Sequence, residues 1–205
     1  MIRIGIVDDH QSIREAYQKA IEESGEFRVV GSMSSAALAD LWCKEYRPDI
    51  LLMDICTEDG ASGLDATRRV KETSPRVKVI VMTGFEEISY IPRAKEAGAD
   101  AFVYKSKSFD YLLQVMRRVL AGETSFPEPR TIPVPKGEAP LTEREMEILR
   151  LLCKNRSRSE IAETLYISES TVKRHIRHMM EKTGMNSTVS LAVYMVSGGW
   201  INPNF

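Results

Sequence analysis

The sequence predicts an α/β domain, a doubly wound five-stranded parallel sheet, followed by a small all-α domain of four helices. Three observations carry this. Short apolar runs alternate with amphipathic stretches over residues 1–122, as in repeated strand–helix units around a parallel sheet. That pattern stops between Glu123 and Pro140, where "FPEPRTIPVPKGEAP" holds five prolines. Helix-start signals then recur at short intervals over 141–205. At 205 residues the chain is long enough for two small domains, each with a core of its own.

The apolar runs are Ile2–Val7, Phe27–Gly31, Ile50–Met53, Val77–Met82 and Ala101–Tyr104, each the length of a buried strand. Helical patterns separate them and follow the last, where Phe109, Leu112, Leu113, Met116, Val119 and Leu120 fall on one stripe. Prolines remove backbone donors and favour extended conformations, so 123–140 reads as a linker. A proline-rich ligand for another domain is the alternative for that composition. Beyond it, Thr142 with Glu145 and Ser157 with Glu160 have the spacing of capping boxes. Ser168 caps a third helix, Gly184 can end it in a left-handed conformation, and Ser187 can open a fourth.

Composition narrows the class. With 43% apolar and 28% charged residues the chain is neither disordered nor fibrous. The net charge of -1 hides a mild split: 17 Lys and Arg against 19 Asp and Glu over 1–122, but 9 against 7 over 141–205. Cys43, Cys56 and Cys153 are scattered and odd in number, which argues against a disulfide framework or a zinc site. No apolar stretch approaches the roughly 20 residues needed to span a bilayer, and no signal-type segment opens the chain. A cytoplasmic protein without a membrane partner is expected.

The first run ends in two adjacent carboxylates, Asp8 and Asp9, which repel each other unless a cation or donor compensates. In a parallel α/β sheet, ligands collect beyond the carboxyl ends of the strands. Asp54, Thr83 and Lys105 sit at the ends of the third, fourth and fifth runs. With strand order 2-1-3-4-5, strands one and three are neighbours and the three acids converge. A hard divalent cation, Mg²⁺ above all, suits such oxygen ligands. Asp54 is then placed as a nucleophile for phosphoryl transfer, with the metal, the Lys105 ammonium and the Thr83 hydroxyl each taking one phosphoryl oxygen.

The set Asp8, Asp9, Asp54, Thr83 and Lys105, with "GADAFVYKS" over Gly98–Ser106, resembles the receiver domain of two-component response regulators. That resemblance implies a flavodoxin-like fold and a phosphoryl group passed from a phosphohistidine of a sensor histidine kinase to Asp54. It further implies Mg²⁺ held by Asp9, Asp54 and the Cys56 backbone carbonyl, with Asp8 acting through water, and a conformational switch formed by Thr83 and the aromatic Phe102. The segment after Asp54 departs from the family: "DICTEDGASGLD" has Glu58 where many members carry proline, and Gly63 falls one place late, so the loop is expected to be one residue longer. A phosphatase resembling haloacid dehalogenases would use similar residues, but it needs a second acid two places after the nucleophile, where this chain has Cys56.

In "SESTVKRHIRHMMEKTG" (168–184), Val172, Ile176, Met179, Met180 and Thr183 form one helical stripe, while Ser170, Lys173, Arg174, Arg177 and His178 occupy the other side. A cationic helix preceded by a short helix and turn is the arrangement of a helix-turn-helix entering the major groove of B-DNA. The A-form groove of RNA suits it less. Leu141–Ser187 resembles the LuxR-type helix-turn-helix of NarL/FixJ-class regulators, including "TVKRH" from Thr171 to His175. The resemblance implies DNA contacts from Ser170, Thr171, Lys173, Arg174, His175 and Arg177, and a fourth helix that pairs two copies. Together these readings predict a phosphorylation-activated transcription regulator, not an enzyme, with a receiver over 1–122, a linker over 123–140 and a helix-turn-helix domain over 141–205 that binds promoter DNA as a homodimer. A receiver-shaped regulator that binds DNA constitutively is the alternative.

Overall fold

The computed structural model describes residues 1–128, 132 and 139–203. Most of the proline-rich stretch, residues 129–131 and 133–138, lies outside the described residues. Two compact units result, one built on a sheet and one on helices.

The sheet unit runs β1 (Ile2–Val7), α1 (Gln11–Glu23), β2 (Phe27–Met33), α2 (Ala39–Tyr46), β3 (Ile50–Asp54), α3 (Gly63–Thr73), β4 (Lys78–Thr83), α4 (Tyr90–Glu96), β5 (Ala101–Tyr104) and α5 (Phe109–Leu120). All pairings are parallel and the order is β2-β1-β3-β4-β5. Every predicted strand is present. β2 runs on to Met33, two residues past the expected end, and Asp54 and Thr83 are the last residues of β3 and β4 rather than the first beyond them.

Strand alternation divides the core. Leu51, Met53, Val79, Val81 and Phe102 face α2, α3 and α4, while Ile50, Leu52, Ile80, Met82 and Val103 face α1 and α5. Because both faces are covered, β3 is buried at all five positions, and its first four residues read as an unbroken apolar run. In α5 the buried residues are Leu112, Val115, Met116 and Val119. Val115, absent from the predicted stripe, lies inside, whereas Phe109 at the first turn is 41% exposed.

The helical unit contains α6 (Glu143–Cys153), α7 (Arg158–Thr164), α8 (Glu169–Thr183) and α9 (Thr188–Ser197). Thr142 and Ser157 form full capping boxes with Glu145 and Glu160, and Ser187 forms a third with Ser190. Ser168 accepts from the Thr171 N–H, and Gly184 closes α8 at φ 71°. Val172, Ile176 and Met179 of α8 pack against Ile148 and Leu149 of α6, Ile161 of α7 and Leu191 of α9, joined by Ile132 from the linker. An ion pair braces the unit: Lys182 near the end of α8 reaches Glu145 in the first turn of α6 at 2.8 Å. Burial raises the Glu145 carboxyl, but the bonds from Lys182 and Thr142 outweigh it and hold it below the usual range.

Candidate functional site

Strand register builds the acidic pocket. Val7 pairs with Met53, so Asp8 and Asp54 emerge side by side at the carboxyl ends of β1 and β3. Thr83 pairs with Tyr104, which puts Lys105 next to the end of β4, and the Lys105 N–H donates to the Thr83 carbonyl at 2.7 Å. The Lys105 ammonium then lies between two carboxylates, 2.8 Å from Asp54 Oδ2 and 2.7 Å from Asp8 Oδ2. Asp8, Asp54 and Thr83 are buried, at 2%, 5% and 1% exposure.

These charges are held under tension. Burial raises the Asp54 carboxyl to about 6 from its ordinary 3.8; Lys105 opposes the rise, and Asp8 and Asp9 add to it. Burial alone would lower the Lys105 ammonium, but Asp54 and Asp8 hold it above its usual value. The same field reaches Tyr17 of α1, whose hydroxyl is pushed up to about 12 by burial and then by Asp8 and Asp54. Three carboxyl groups and one ammonium thus share the pocket.

Asp9 and His10 occupy the other side of Asp8. The His10 backbone N–H donates to Asp8 Oδ1 at 3.0 Å, and the imidazole Nδ1 lies 2.5 Å from Asp9 Oδ1 and 3.5 Å from Asp8 Oδ1. Asp9 Oδ1 is a buried atom with no hydrogen-bond partner; the close approach of His10 does not form one. An orphaned oxygen of the half-buried Asp9, near the buried Asp8 and Asp54, fits a bound cation. Among the described residues, Asp8, Asp9 and His10 are a group whose side-chain ligand atoms all lie within 4.8 Å of one another, a set able to hold a divalent metal. Asp54 is not in that group: Lys105 joins it to Asp8. His10 was not among the residues expected from sequence, although it directly follows the acid pair.

The loop after Asp54 is folded into a turn and tied down on both sides. Glu58–Gly60 form a single 3-10 turn, with Asp59 at φ 59° and Gly60 at φ 68°. Thr57 Oγ1 accepts from the Ala36 N–H at 3.0 Å and donates to the Ala61 carbonyl at 2.7 Å, and the Ser34 hydroxyl donates to Glu58 at 2.5 Å. Gly63 then opens α3 so close to the strand end that a Cβ there would lie 1.8 Å from the Asp54 carbonyl oxygen. Cys56, between these points, is half-buried with Sγ 3.9 Å from the Tyr90 hydroxyl. Phe102 has 0% exposure, with its ring edge-on to Tyr104 at 5.3 Å between centroids.

In the helical unit, α8 buries Val172, Ile176, Met179 and Thr183 and presents Ser170, Lys173, Arg174 and Arg177 to solvent. Arg158, Ser170, Lys173, Arg174, Arg177 and Asn186 line a groove of about 670 Å³. Ser170 and Thr171 share hydrogen bonds with the Ser168 cap, at 2.8 and 2.9 Å. His175 is half-buried, and burial, reinforced by Arg174, lowers its pKa. Exposed cations along one helix face are what neutralises a phosphate backbone.

A receiver sheet with acids and lysine at its strand ends, joined to a helix-turn-helix, defines a response regulator. The chain belongs to this family: residues 4–117 match the response regulator receiver domain, and residues 139–195 match the bacterial regulatory proteins of the luxR family. Its function is therefore phosphorylation-linked, DNA-binding transcription regulation, and it is a regulator rather than an enzyme. Among relatives, response regulator protein VraR of Staphylococcus aureus strain Mu3 is 32% identical over 201 residues, covering 94% of this chain and 95% of that protein. A LuxR-family two-component response regulator from Aurantimonas sp. SI85-9A1 superposes with TM-score 0.57 at 32% identity, over 60% of this chain and 87% of its own. RcsB from Salmonella enterica serovar Typhimurium, solved bound to promoter rprA with the phosphomimetic BeF3-, shares the fold at TM-score 0.63 and 19% identity, over 97% of this chain and all of its own. Among the described residues, no helix is long and apolar enough to cross a membrane.

Proposed function

We propose that Asp54 is the phosphoacceptor, charged by a phosphohistidine of a sensor histidine kinase in the cytoplasm, and that its modification controls promoter binding by a homodimer. A carboxylate oxygen of Asp54 attacks phosphorus as the bond to the imidazole nitrogen breaks. Lys105 and Thr83 take two of the phosphoryl oxygens, over which the charge is spread. Asp9, Asp54 and the Cys56 carbonyl, with Asp8 through water, would hold Mg²⁺, which would neutralise the remaining charge. The reading divides the chain at 122/123 and 140/141. Ser170, Thr171, Lys173, Arg174, His175 and Arg177 meet the DNA, and the exposed Val189, Val193 and Val196 of α9 support pairing of two copies.

The observation that carries this reading is the Lys105 ammonium bonded at once to Asp54 and Asp8, so that residues from the ends of β1, β3 and β5 share one small space. Intact mass after incubation with a small phosphodonor and Mg²⁺ tests it. One phosphoryl group should add to the wild type and none to Asp54→Asn; a variant that still gains mass refutes the assignment.

A constitutive regulator is the second reading. It is favoured by Phe102, which is packed as a core residue rather than poised at the surface for a Thr83-linked rotation. Equal DNA affinity in gel shifts with and without phosphodonor would select it.

A further inference from the structure

His10 stands at the N-cap of α1, where a side chain ordinarily accepts a backbone N–H, yet it makes no capping bond. Its imidazole turns back over the acid pair instead, with Nδ1 3.5 Å from Asp8 Oδ1 and 2.5 Å from the orphaned Asp9 Oδ1. By distance the contact with Asp9 is an ion pair, yet Asp9 Oδ1 has no hydrogen-bond partner. Around an octahedral ion with bonds of about 2.1 Å, donor atoms in cis positions lie ~3 Å apart. The two separations straddle that value, and one ligand atom from each of the three residues lies within 4.8 Å of the other two. The imidazole side chain is 63% exposed, so its ring is free to adjust.

We propose that His10 is a metal ligand, giving the Asp9 end of the pocket a mixed nitrogen and oxygen donor set that takes a borderline divalent transition ion, such as Ni²⁺ or Co²⁺, in competition with Mg²⁺. This rests on the reading of the pocket as the receiver's metal site and concerns which ion that site selects. Carboxylates and water suit Mg²⁺, whereas an imidazole nitrogen adds little for that ion and much for the later first-row metals. Asp9 belongs to both ligand sets, so the two kinds of ion exclude each other.

The test uses the full chain and its His10→Ala variant, which removes an exposed side chain that caps nothing. Pulsed EPR of bound Mn²⁺ should show nitrogen coupling in the wild type and lose it in His10→Ala. In calorimetric titrations, Ni²⁺ should displace Mg²⁺ from the wild type, and the variant should lose at least about tenfold in Ni²⁺ affinity while its Mg²⁺ affinity changes less than about threefold. Mn²⁺ bound without nitrogen coupling, or an unchanged preference for Ni²⁺ over Mg²⁺, would overturn the role of His10 and leave the acidic pocket standing. Coupling that survives in His10→Ala would come from His175 or His178 and overturns it equally. No binding of any of these ions, with Asp9→Asn indistinguishable from wild type, would defeat the metal reading as well.

Discussion

Replacing Asp54 by asparagine should make the receiver more stable. In the unfolded chain this carboxyl titrates near 3.8, and in the folded one at about 6. Below pH 4 both states hold the proton and the group contributes nothing. Between pH 4 and 6 the unfolded state ionises first, so stability falls as pH rises, and above 6 the whole cost is present. At about 1.4 kcal/mol per pH unit, the difference is ~3 kcal/mol at pH 7. Asparagine keeps an acceptor for Lys105 but removes one of its two ionised partners, so a gain of roughly 1–3 kcal/mol is expected. For a domain of this size that corresponds to about 4–12 °C in Tm. Urea unfolding of the full chain with a chelator present, followed by far-UV circular dichroism at pH 7 and at pH 4, measures it. An asparagine variant no more stable than wild type at pH 7, or a gain that persists undiminished at pH 4, refutes the account of a charge held under tension.

Gly63→Ala places a methyl 1.8 Å from the Asp54 carbonyl oxygen, against an ordinary contact of 3.4 Å or more. α3 must retreat by over an ångström, so a loss of about 1–3 kcal/mol is expected in denaturant titration, with slower phosphorylation because Asp54 moves too. Glu145→Ala removes both a capping box and the partner of Lys182, and should cost the helical unit about 3–5 kcal/mol, read from its unfolding midpoint. Because the Glu145 carboxyl is held low, that stability is present above pH 4.5 and is lost as pH falls through the folded pKa, so wild type and variant should converge in acid. Arg174→Ala and Arg177→Ala should each weaken specific binding in gel shifts and lower the salt dependence of affinity by about one counterion; unchanged values in both would move the interface off α8.

Most of the fold was legible because burial on both sheet faces writes strands as apolar runs, and because capping side chains mark helix starts chemically. The approach of Asp8 to Asp54 followed from strand order, since the neighbouring parallel strands β1 and β3 bring their carboxyl ends together, whereas Lys105 reaches them past the end of β4 through its long side chain. What periodicity could not reveal was direction. His10 follows the acids in sequence, but only its backbone bond to Asp8 and the absence of a capping bond turn its ring over Asp9. Val115 escaped the predicted stripe of α5 for a related reason: a stripe drawn from the larger side chains centred one position away from the face the sheet covers.

The loop after Asp54 ties the end of β3 to the start of α3 from both sides. Asp59 and Gly60 adopt left-handed conformations in succession, which fold the segment into a turn on the surface. Thr57 and Glu58 on the near side of that turn are bonded to Ala36 and Ser34, so slack cannot propagate toward the strand. Gly63 can therefore meet the end of β3 at a separation only glycine permits, its N–H donating to the Ile55 carbonyl at 2.8 Å. The position of Asp54 is set by those two anchors, and the identity of Glu58 bears on the pocket through its bond to Ser34 rather than through its charge.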